Sequence, residues 1–163
     1  MKPGFAKSPV ADERFTTADI DAWCRRKAEV SEWDLDVAAC DEHHLAPVYF
    51  TKTTNGLSAR WSGRVFCNPP YSDIESWVQK AALEISRDDG PTVVAVLVPA
   101  TRTEQKWWQT YVEPYRDRPN KSLSTFFLPG RTNFSKPGMN GKAQTGSPFG
   151  CVLLVFRAQM RGR

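Results

Sequence analysis

Apolar and polar residues alternate along the chain in two periods, and they mark out a succession of helices and strands. Ile20, Trp23, Cys24 and Ala28 recur at helical spacing behind Thr16 and Thr17, with Asp19 and Asp21 in the first turn, so a Thr-capped helix ending near Glu29 is expected. Trp33 to Val37 alternates wet and dry side chains and predicts a short strand that opens into Ala38 and Ala39. Val48 to Phe50 predicts a second short strand, and Asn55-Gly56 a turn. Arg64 to Cys67 predicts a third strand, which Pro69 and Pro70 must end because proline cannot donate to a ladder.

The second half is more regular. Ser72-Asp73-Ile74-Glu75 has the spacing of a capping box. Behind it Ile74, Trp77, Val78, Ala81, Ala82 and Ile85 form one apolar stripe, predicting a helix to about Arg87. Thr92 to Val98 is a continuous β-branched run, the mark of a strand covered on both faces in a parallel sheet. A helix over 103–113 would bury Trp107, Trp108, Tyr111 and Val112, and Leu123 to Leu128 and Cys151 to Phe156 predict two further strands. Strands alternating with helices predict an α/β fold, a mostly parallel sheet with flanking helices, whose ligands sit beyond the carboxyl ends of the strands. Residues 1–15 are expected to be an irregular lead-in, 16–157 a single domain carrying a long loop at 129–148, and 158–163 a basic tail.

Composition narrows the classes. The 163 residues are 40% hydrophobic and 25% charged, which suits a globular domain. There is no apolar run of spanning length and no signal-peptide pattern, so no membrane partner and a cytoplasmic location are expected. Cys24, Cys40, Cys67 and Cys151 are widely spaced, which predicts reduced, mostly buried thiols and no zinc site. The adjacent His43 and His44 suit neither a helical nor a strand ligand pair and are read as surface or loop residues, so no metal is expected. The net charge is +4, and its basic residues gather late, from Arg116 through Arg131, Lys136 and Lys142 to Arg163. Collectively these can follow a phosphate backbone; oligomeric state is not legible in the sequence.

The candidate chemistry lies in Asn68-Pro69-Pro70-Tyr71, between a predicted strand and a predicted helix. Methylating an aromatic amine requires that its delocalised lone pair be drawn toward the methyl donor. The Asn68 side-chain oxygen and the Pro69 carbonyl can accept the two amino hydrogens and stabilise the charge that develops. The face of Tyr71 can add a stacking and cation–π contribution, and the two prolines aim the acceptors in advance. Asp36 closes the first strand 32 positions earlier, where a carboxylate can receive a cofactor amine while Ala38 and Ala39 permit close approach. As a lone residue, Asp36 reads first as a loop cap; beside the Asn68 motif, the cofactor role is the favoured reading.

These residues, with Thr16-Thr17-Ala18-Asp19-Ile20, the tract from Leu57 to Tyr71, Trp77-Val78-Gln79-Lys80-Ala81, Pro99-Ala100, Lys106-Trp107-Trp108, Gly130-Arg131 with Phe134, and Ser147-Pro148-Phe149, resemble the phage-type DNA N6-adenine methyltransferase family. The resemblance runs from about Phe15 to Arg157. It implies a Rossmann-like methyltransferase fold, S-adenosyl-L-methionine as methyl donor, and adenine in DNA as substrate. It further implies that Thr16 or Thr17 lies near the methionine end of the cofactor, that Asn55 belongs to the cofactor site, and that Arg131 faces the substrate. Sequence readout would fall to the 129–148 loop, with Arg131, Asn133 and Lys136 as candidate contacts. The same tetrapeptide also serves methylation of RNA or of a protein glutamine amide, and a non-catalytic nucleic-acid-binding relative is the alternative of a different class.

Overall fold

The computed structural model describes residues 14–143 and 149–160. Most of the expected lead-in, the 144–148 end of the expected loop and the last three residues of the basic tail lie outside the described residues. Six strands form a single sheet: β1 (Leu35–Asp36), β2 (Val48–Tyr49), β3 (Arg64–Cys67), β4 (Val93–Pro99), β5 (Leu123–Phe127) and β6 (Cys151–Arg157), in the order β2-β1-β3-β4-β6-β5. Three helices flank it: α1 (Ala18–Ala28), α2 (Ile74–Ile85) and α3 (Lys106–Tyr111).

The first four strands run parallel, whereas β6 lies antiparallel to both β4 and β5. The sheet is therefore mixed: five strands run in one direction, as expected, and β6 alone reverses, its ladder with β4, Val93↔Arg157 through Pro99↔Cys151, being the longest in the sheet. The reason lies in the connection. No helix intervenes between β5 and β6 among the described residues, and a chain that returns without a crossover must pair antiparallel. All seven residues of β4 are buried, so both of its faces are covered; α1 and α2 pack on β4 and β6, and α3 packs on α2.

Two expected caps do not form. Thr17 has the extended backbone of an N-cap, but neither it nor any neighbour supplies a side-chain cap bond to α1, and the Thr16 hydroxyl is engaged elsewhere, with Asn68. At α2, Tyr71–Asp73 forms a 3-10 turn that moves the N-cap from Ser72 to Asp73, and the Asp73 carboxylate accepts from the Ser76 hydroxyl at 2.7 Å. The apolar stripe is as expected, with Ile74, Trp77, Val78 and Ala81 buried. Helix α3 is about a turn shorter at its start than its pattern predicts, because Gln109 turns its side-chain amide back to the Thr103 carbonyl at 2.8 Å and ties 103–105 down as a turn.

At the amino ends of β1 and β3, Asp34 and Arg64 form a forked ion pair, with Arg64 Nε and Nη2 each 2.8 Å from the carboxylate. The Arg64 guanidinium holds the Asp34 carboxyl down to about 2. Gly63, at φ 71, allows the chain to pass beside that carboxylate, which would stand 2.7 Å from any Cβ there. This clamp registers β1 against β3 and brings their carboxyl ends level.

Candidate active site

Asp36 pairs with Phe66 in the β1–β3 ladder, so the end of β1 and the loop after β3 emerge side by side. Between them opens a cavity of about 280 Å³, whose wall includes Thr16, Asp36, Ala38, Ala39, Asn55 and Asn68. Six of the residues singled out in the sequence are thus brought together from four separate segments. Pro70 also lines the cavity, whereas Thr17 is not on its wall.

Asp36 is 3% exposed. Its Oδ2 accepts from the Leu45 amide at 3.0 Å and its Oδ1 from the Ala38 amide at 3.5 Å. Asp36 therefore caps the loop that follows it, as the lone-residue reading had it, and also lines the cavity. Burial pushes its carboxyl up to about 6, against the two backbone donors that favour the charged form. Asn55 adopts a left-handed conformation, φ 53, and its side chain turns back to accept from the Leu57 amide.

Asn68 donates from Nδ2 to the Arg14 carbonyl at 2.9 Å and to the Thr16 hydroxyl at 3.2 Å. Its Oδ1 is buried and has no hydrogen-bond partner among the described residues. A buried amide oxygen left as a pure acceptor on a cavity wall is costly, of order 1–3 kcal/mol, unless a ligand donor meets it.

Tyr71 lies behind that wall, 4% exposed, with its hydroxyl 3.5 Å from Cys151 Sγ. Burial drives its phenol well above the ordinary range. The Arg14 guanidinium stands 4.5 Å from the ring centroid, Phe134 and Phe149 meet the ring edge-on, and Arg102 Nη1 donates to the Tyr71 carbonyl at 2.7 Å.

The loop after β5 alternates. Thr132, Phe134 and Ser135 are buried, whereas Arg131 and Lys136 are exposed and Asn133 is half-buried. Ser135 exchanges two backbone hydrogen bonds with Phe15, each 2.9 Å, so this loop and the segment before α1 are laced together beside the site. Phe15 in turn stacks on His43 at 4.8 Å and 11°. His43 occupies a loop as expected, but it is half-buried against the cavity rather than on the surface, and burial lowers its pKa. Arg14, Phe15 and His43 are among the cavity residues that the sequence pattern missed. An irregular segment carries no periodicity, and a turn histidine carries no spacing signal.

The family model described as DNA N-6-adenine-methyltransferase (Dam) matches residues 10–162. The chain belongs to that family. A DNA N-6-adenine-methyltransferase of Escherichia phage T1 is 28% identical over 146 residues, covering 80% of this chain and 57% of the phage protein. The chain thus spans little more than half the length of that relative. No solved structure matches it. No helix among the described residues is long and apolar enough to cross a membrane, and no group of three or more His, Cys, Asp and Glu is gathered there to hold a metal.

Proposed function

We propose that the chain transfers a methyl group from S-adenosyl-L-methionine to the N6 amino group of adenine in DNA. Family membership supports the reaction class, and the observation that carries it to residues is the buried, partnerless Oδ1 of Asn68 on the cavity wall. The order β2-β1-β3-β4 is that of a doubly wound sheet, in which ligands bind where the winding reverses, between β1 and β3. Asp36 and Asn68 stand on either side of that point, which supports a Rossmann-like reading of the fold.

The residues present fit the methyl donor. Asp36 offers a carboxylate to a cationic amine, Ala38 and Ala39 keep the wall close, and Asn55 completes it. When bound, the cofactor supplies an electrophilic methyl group. Everything else is the work of the chain. Asn68 Oδ1 accepts one hydrogen of the target amine and the Pro69 carbonyl the other, which localises the lone pair and stabilises the positive charge as it grows. No strong base is needed, and the proton leaves to water afterwards.

A base within a duplex cannot reach this edge, so the adenine is flipped or single-stranded, and Tyr71 is the stacking platform. Arg14 now covers that ring at 4.5 Å, so the guanidinium must yield its place when the base arrives. Arg131, Asn133 and Lys136 lie on the adjoining loop, and the exposure of the first and last suits them to contact DNA.

The test is transfer of labelled methyl from S-adenosyl-L-methionine to unmethylated duplex DNA, followed by nucleoside digestion. N6-methyladenine is the expected product. Labelled cytosine, label on RNA or protein alone, or no transfer by a folded chain overturns the reading.

A further inference from the structure

We infer that Thr16 is a positioning residue for methyl transfer: together with the acceptor-only Arg14 carbonyl, its hydroxyl takes up the two hydrogens of the Asn68 side-chain amide and leaves Oδ1 as the acceptor without a protein partner. The inference rests on the reading that Asn68 accepts from the target amine. A primary amide is nearly symmetric in shape, and a half-turn exchanges its oxygen and its NH2 group. What decides between the two orientations is the set of neighbours. Nδ2 has two hydrogens, and both are taken, one by the Arg14 carbonyl at 2.9 Å and one by Thr16 Oγ1 at 3.2 Å. Turned over, the amide would set oxygen against the Arg14 carbonyl and present donors to an amine that itself donates.

Thr16 is well placed for this task. It is 3% exposed and follows Phe15, which is pinned by two backbone hydrogen bonds to Ser135 and by its stack on His43. The hydroxyl is therefore fixed by the protein's own packing, before any ligand enters. The resemblance places Thr16 or Thr17 beside the cofactor; the geometry gives the Thr16 oxygen a different partner, 52 residues along the chain. A cofactor contact acts on affinity for the methyl donor, whereas a residue acting through Asn68 acts on the transfer step.

The experiment compares Thr16→Val, which keeps shape and removes the acceptor, with Thr16→Ser, which keeps the acceptor. Methyl transfer to duplex DNA is measured for kcat and for KM of S-adenosyl-L-methionine, and the Asn68 side-chain NH2 is followed by 1H–15N NMR in the full chain. Expected for Thr16→Val is a fall in kcat of about three- to tenfold, the scale of one neutral hydrogen bond, with KM changed by less than about twofold and shifted, faster-exchanging Asn68 NH2 signals. Thr16→Ser is expected to restore all three readouts. An unchanged kcat, a raised KM with kcat kept, failure of Ser to rescue, or unmoved Asn68 signals overturns the inference. Should Val at position 16 unfold the chain, Thr16→Ala gives the same comparison. If the wild-type chain methylates no DNA, the proposed function fails by that result, while the Asn68 spectra still decide whether Thr16 orients the amide.

Discussion

Gly56 passes so close to Val37 that a Cβ at position 56 would stand 2.1 Å from the Val37 carbonyl oxygen. This contact seats the turn after β2 against the end of β1, where both line the cavity. The Gly56 carbonyl also accepts from the buried Trp61 indole at 2.8 Å, so the turn is held from its other side. Backbone oxygen cannot yield as a flexible side chain can. Gly56→Ala should cost roughly 2 kcal/mol or more of stability in urea unfolding and weaken binding of S-adenosyl-L-methionine measured by calorimetry. Wild-type values for both would show that the contact does not seat the turn.

Asn68→Ala removes the partnerless acceptor and the two donors that meet Arg14 and Thr16. Methyl transfer should fall at least about tenfold, with far-UV circular dichroism unchanged. Equal activity in a folded variant would remove Asn68 from the mechanism.

Asp36 gives a signed pH dependence. Its folded-state carboxyl lies at about 6 against an ordinary value of 3.8, with burial the first cause. Between those values the native chain holds a proton that the unfolded chain has released, so the Asp36 contribution to stability declines as pH rises through this window. Relative to Asp36→Asn, the wild type should therefore gain stability on acidification from pH 7 to pH 4, by up to roughly 3 kcal/mol. Denaturant unfolding of both proteins across that range checks it, and a constant difference would contradict the assignment. Binding of the cationic methyl donor should weaken below about pH 6, as the carboxylate is neutralised.

Glu84 is buried at 4% exposure on α2 and accepts from the Trp61 backbone amide at 3.0 Å, from Lys80, and from Arg87. It ties the segment carrying Gly56 and Trp61 to the helix, and Trp61 is itself wholly buried. Glu84→Ala leaves a buried amide and two cations short of their acceptor and should cost about 3 kcal/mol, whereas Glu84→Gln, which keeps one acceptor for Trp61, should cost less. Thermal and urea unfolding measure the difference; equal losses would mean that the charge, not the link to Trp61, is what α2 requires.

Much of this was legible along the chain. Val93–Val98 had to be a doubly covered strand because no polar residue interrupts it, and Ile74, Trp77, Val78 and Ala81 had to face a core because they share one side of a helix. The placement of Asn68 directly after β3 and of Asp36 at the end of β1 followed from the same local rules. The caps failed where local rules met tertiary demand: the hydroxyl of Thr16 went to Asn68, and the turn at Tyr71–Asp73 displaced Ser72.

Local periodicity determined which segments are strands and helices, and a strand followed by Pro69 and Pro70 determined where Asn68 leaves the sheet. Tertiary structure alone decided that β6 inserts antiparallel between β4 and β5, that Arg14 covers Tyr71, that Phe15 locks onto His43 and Ser135, and which way the Asn68 amide turns. The physical reason is range. Periodicity records which side of one element is buried, whereas hydrogen bonds such as Asn68 to Arg14 join residues 54 apart, and only the packed sheet brings such donors and acceptors within 3 Å.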